Sequence, residues 1–102
     1  MTRERFLLRL AERLRACSEA GDWSALAQVD REVAAGASRM AAQGAWSPAE
    51  RSALAQLQRA HRDAARRCAL EVQRARTRLN ELGERKDGWM AYAVGEWEGA
   101  QA

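Results

Sequence analysis

Gln43-Gly44-Ala45-Trp46-Ser47-Pro48-Ala49-Glu50 carries the full set of local signals for the start of a helix. Ser47 is an N-cap residue whose hydroxyl accepts from a free backbone N–H. Pro48 suits the first helical position, and Glu50 can reach back to the Ser47 N–H, completing a capping box. Trp46, just before the cap, is placed to staple the loop to the core, since an apolar residue there often packs against the fourth helical residue. With no breaker before Gly83, a third helix is predicted from Pro48 to about Gly83, thirty-odd residues and about 50 Å long. Along it Leu54, Leu57, His61, Ala64, Cys68, Val72, Ala75, Leu79 and Leu82 step by threes and fours into one seam. The step from Cys68 to Val72 is a stutter that locally relaxes supercoiling.

Upstream of this boundary the same spacing occurs twice. Leu7, Leu10, Leu14 and Cys17, widened by Phe6 and Ala11, predict a helix from about Arg3 to Ala20. Gly21 ends it and Asp22 caps a second helix, running to near Ala42, whose seam is Trp23, Leu26, Val29, Val33, Ala37 and Met40. Gly36 is a minor flaw in that helix. So short a connection makes the two helices antiparallel neighbours. They are too short to cover the whole third seam.

Downstream, Asp87 can cap a short fourth helix in which Trp89, Met90, Ala93, Val94 and Trp97 share a face, with Tyr92 at its edge. Half of the six aromatic residues fall in this tail. Gly88, Gly95 and Gly99 weaken it by nearly 1 kcal/mol each relative to alanine. It is therefore either ordinary core closing the bundle or a cover that detaches. Residues 99–102 are expected to be disordered. The fold class is all-α: residues 1–86 an antiparallel bundle of three helices, residues 87–98 a short C-terminal fourth, either fixed or mobile.

Composition agrees with this division. A chain of 102 residues suits one domain, and abundant alanine with a single proline favours helix. The net charge is +3, but sixteen of the seventeen cations are arginine, a skew that coding bias explains as well as phosphate binding does. Cations gather in residues 51–86, while residues 87–102 carry only Asp87, Glu96 and Glu98 as charges. No stretch approaches the roughly 20 apolar residues of a membrane span. Glu4, Arg9 and Glu12 interrupt any signal or transit peptide, so a cytoplasmic protein without a membrane partner is expected. Cys17 and Cys68 read as small buried hydrophobes.

Chemistry-bearing motifs are scarce. His61 and Cys68 are seven residues apart on one helix, too far to share a zinc ion, so no metal and no cofactor is expected. His61 reads as a polar seam residue with a local partner. No catalytic residue is assigned: no nucleophile sits beside the histidine, no glycine loop cradles phosphate, and an enzyme is not expected. Arg59, Arg62, Arg66, Arg74, Arg78 and Arg85 could form a nucleic-acid stripe. Asp63 before Arg67 and Glu81 before Arg85 are spaced for intrahelical pairing, which favours a solvated charged face instead. A scaffold subunit whose tail docks on a partner is a further reading.

Two segments together suggest a family. AGDWSAL, with Gly21, Trp23 and Leu26, and RLNELGERKDGWMAYA, with Arg78, Leu79, Leu82, Arg85, Lys86, Ala91 and Tyr92, resemble in order and spacing the flagellar protein FliT family of type III export chaperones. The resemblance implies three antiparallel helices with a mobile fourth. It also implies binding to the disordered C-terminal region of the filament-cap protein FliD, delivery to the export ATPase FliI with FliJ, and in some bacteria inhibition of FlhDC. The masking segment would run from Asp87 to Trp97, through Trp89, Met90, Tyr92, Ala93, Val94 and Trp97, with Tyr92 at the family's tyrosine position. The groove it covers would include Val72, Arg78, Leu79 and Leu82. Gly88, Gly95 and Trp97 depart from the family pattern. Monomer and homodimer both remain open.

Overall fold

The computed structural model describes the backbone of residues 2–101 and the side chains of residues 2–99. The protein is all-α, with helices α1 (Arg3–Ala20), α2 (Trp23–Ala41) and α3 (Pro48–Gln101). It divides into two units, Met1–Ala69 and Leu70–Ala102.

In the first unit the helix ends are set by the devices expected of them. Thr2 accepts from the Arg5 N–H at 3.2 Å. Gly21, in the left-handed region at φ 66°, closes α1, and the Asp22 carboxylate then accepts from the Ala25 N–H at 3.1 Å. Only a residue free of a Cβ adopts that φ without strain. At α3 the capping box is complete. The Glu50 N–H donates to the Ser47 hydroxyl at 3.1 Å and the Ser47 N–H to the Glu50 carboxylate at 2.9 Å.

The core joins Leu7, Leu10, Ala11 and Leu14 of α1 to Val29 and Met40 of α2 and to Ala53, Leu57 and Ala60 of α3. Contacts between α1 and α2 pair Arg3 with Met40, Phe6 with Gly36 and Arg13 with Glu32, so these two helices run in opposite directions. Two predicted seams are rotated slightly. In α2 Gly36 is buried and Ala37 exposed, because the Phe6 ring lies where a Gly36 side chain would be, 3.1 Å from an ideal Cβ. The glycine is therefore the contact surface for Phe6. In α3 Ala53 and Ala60 are buried whereas Leu54 is half-buried and His61 exposed. Small residues let the helices approach closely, and Leu54 borders the core.

Cys17 and Cys68 are free and half-buried rather than fully buried. Trp46 does pack against the core, held by a cation: the Arg3 guanidinium lies 4.1 Å from its ring centroid.

The largest departure from expectation is at the end of the chain. No fourth helix starts at Asp87, because α3 continues without interruption to Gln101. Residues 99–101, expected to be disordered, are helical, and Ala102 lies outside the described residues. Gly83, Gly88, Gly95 and Gly99 each cost the helix only about 1 kcal/mol. A break would leave up to four C=O groups before it and up to four N–H groups after it without intrahelical partners, and no proline forces one.

Candidate protein-docking face

The second unit contains the segment singled out by its aromatics. Local bonds hold its helix on the polar side: Arg74 donates to Glu71 at 3.1 Å and the Thr77 hydroxyl to the Gln73 carbonyl at 3.0 Å. The Tyr92 hydroxyl donates to the Glu96 carboxylate at 2.7 Å, and that bond, with some desolvation, raises its pKa.

At 100° per residue, Val72, Ala75, Leu79, Leu82, Trp89, Met90, Ala93 and Trp97 fall on one stripe of the helix. Val94 borders it, Arg78 and Tyr92 stand on its flank, and Lys86 interrupts it. The stripe continues the sequence spacing of the seam that is buried at Leu57 and Ala64. Its own large side chains are uncovered, with Leu79 67%, Trp89 76% and Trp97 64% exposed.

This geometry corrects the expectation of a tail folded over a groove. Trp89, Met90, Ala93, Val94 and Trp97 share a face with the groove residues Val72, Leu79 and Leu82 and follow them along one unbroken helix. While α3 is continuous, the tail cannot lie on residues that point the same way. The residues expected to mask and those expected to be masked therefore form one surface. Contiguous apolar patches above a few hundred Å² mark interaction sites in soluble proteins.

Arg59, Arg62, Arg66, Arg74, Arg78 and Arg85, weighed as a nucleic-acid stripe against a solvated face, are all exposed. Among the described residues the ion pair within α3 is Arg74–Glu71, and the expected Asp63–Arg67 and Glu81–Arg85 pairs are not closed. His61 has found a partner on another helix, its Nε2 lying 2.8 Å from the Asp30 carboxylate of α2. Among the described residues no three His, Cys, Asp or Glu side chains gather around a common point, and no helix is long and apolar enough to cross a membrane.

Sequence reasoning missed Arg3. Its guanidinium donates to the carbonyls of Met40 at 2.9 Å and Ala45 at 2.8 Å, and to the Glu50 carboxylate at 3.0 Å. These bonds tie the start of α1 to the end of α2 and the cap of α3. The Arg3 bond, helped by the Ser47 N–H, holds the Glu50 pKa down at about 2, and the same bond raises that of Arg3. Lys86, part of the family motif, also holds a place in the three-and-four spacing, readable between Leu82 and Trp89.

Against protein-family models, curated proteins and solved structures, the chain matches none.

Proposed function

We propose that the protein is a non-catalytic, FliT-like flagellar export chaperone acting in the cytoplasm. In this reading the first unit is an antiparallel three-helix bundle that carries the second. The apolar stripe of α3 receives an amphipathic helix from the C-terminal region of the filament-cap protein FliD. Delivery to FliI and FliJ, and control of FlhDC, follow from the same family reading.

One observation carries the proposal: the large side chains of the stripe, from Val72 to Trp97, stand exposed on one helix face. An amphipathic client helix presents anchors at i, i+3, i+4 and i+7, which match the threes and fours of the stripe. Aromatic anchors such as Trp89 and Trp97 give much contact area for few rotatable bonds.

Calorimetric titration of the full chain with a peptide of the filament-cap C-terminal region tests this. Saturable binding that Leu79→Glu weakens at least tenfold is expected. No binding of that peptide, together with DNA or RNA binding at physiological salt that Arg59→Ala, Arg62→Ala and Arg66→Ala abolish, would replace it with the nucleic-acid reading.

A further inference from the structure

We infer that the second unit pairs with the same segment of a second copy, antiparallel about a two-fold axis near Glu84. Each copy then lays its tail, Trp89 to Trp97, on the Val72–Leu79 part of the other.

Three observations converge on a second copy as occupant. The first is spacing. Val72, Ala75, Leu79, Leu82, Lys86, Trp89 and Ala93 alternate by three and four, a heptad seam. When such a seam is reversed onto itself around Glu84, Leu79 meets Trp89, Ala75 meets Ala93, Leu82 meets Lys86 and, at the outer end, Val72 meets Glu96 of the second copy. Each pair occurs twice, as an isologous contact requires, and the charged members Lys86 and Glu96 each face an apolar side chain. Lys86 lays its aliphatic stem along the leucine and keeps its ammonium in water. A polar residue at one seam position also fixes the register.

The second is charge. Residues 70–80 carry Arg74, Arg76 and Arg78 against Glu71, residues 81–86 balance Glu81 and Glu84 with Arg85 and Lys86, and residues 87–99 carry only Asp87, Glu96 and Glu98 as charges. The segment is thus basic at one end, neutral in the middle and acidic at the other. Antiparallel pairing sets each basic end on an acidic end, twice. Parallel pairing would stack the three arginines on themselves and put Lys86 against Lys86 in the seam. Arg85 meets its own copy near the axis, with Glu81 four residues earlier to offset the repulsion.

The third is area. With exposures of 46% at Val72 to 76% at Trp89, the stripe offers roughly 700–800 Å² of apolar surface per copy, taking 150–250 Å² for each aromatic. A standard specific interface buries about 800 Å² per partner.

The pairing needs no client. A chain that dimerises but does not bind the filament-cap peptide upholds it and overturns the proposed function; the opposite pair of results does the reverse.

Sedimentation velocity of the full chain over about 1–100 µM should show a dimer. Leu79→Glu, at an exposed position, should keep the helical circular dichroism spectrum and weaken the dimer at least tenfold. Direction is tested with Cys17→Ser and Cys68→Ser as background, adding Ala75→Cys to one chain and Ala93→Cys to another. Antiparallel pairing predicts disulfide cross-links in the mixture and none between two Ala75→Cys chains. A monomer throughout the concentration range, or cross-linking of Ala75→Cys chains to each other, would overturn the inference.

Discussion

Arg3 shows how much one side chain can organise in a small helical protein. Its side chain is almost wholly enclosed, with an exposure of 7%, and its bonds reach the last turn of α2 at Met40, the following loop at Ala45 and the capping carboxylate of Glu50. Glu50 serves the α3 cap and Arg3 together, which is why its pKa falls to about 2. A carboxyl lowered on folding stabilises the folded state fully above its unfolded pKa of about 4.3. That contribution is lost as pH falls through this value towards the folded pKa. Urea unfolding between pH 6 and 2 should therefore show Glu50→Gln less stable than the natural chain at pH 6, with the difference shrinking steadily below about pH 4.5. The capping box was legible because Ser47 and Glu50 are three residues apart. The Arg3 network was not, since its partners lie 37 to 47 residues away and nothing local announces them. In the core, Leu14 has no exposed surface, and Leu14→Ala should cost about 2–5 kcal/mol in the same assay. Gly36 allows the close approach of Phe6, so Gly36→Leu should destabilise by about 1–3 kcal/mol through overpacking.

Among the elements, α3 was read correctly at its start and incorrectly at its end. Ser47 and Glu50 specify a beginning through reciprocal hydrogen bonds, and Pro48 through its fixed φ. Gly83, Asp87 and Gly88 merely lower helix propensity, and a run of arginine, leucine, glutamate and alanine around them outweighs a penalty of about 1 kcal/mol each. The three-and-four spacing of the stripe was legible too, but a period does not say what lies opposite it. Gly88 and Gly95 lie on the side away from the stripe, with nothing within 4 Å of an added Cβ. The double change Gly88→Ala and Gly95→Ala should strengthen this part of the helix by about 1.5–2 kcal/mol. Slower amide hydrogen exchange from Asp87 to Trp97, with unaltered exchange at Leu10 and Leu14, is the expected result. Unchanged exchange in the tail would mean that the glycines do not limit its stability.

For the molecule as a whole, the division of labour is between a first unit with a closed core and a second whose apolar face is open. A client helix and a second copy would compete for that face, so adding the filament-cap peptide should convert dimers into one-to-one complexes, seen as a concentration-dependent fall in sedimentation coefficient. A docking face and a core surface differ directly in what they contribute to stability. Urea unfolding of the chain carrying Leu79→Glu and Trp89→Glu, followed by circular dichroism at a dilution where the natural chain is monomeric, should give a stability within about 0.5 kcal/mol of the natural chain's. A loss of several kcal/mol, on the scale of the 2–5 kcal/mol expected of Leu14→Ala, would contradict a docking face.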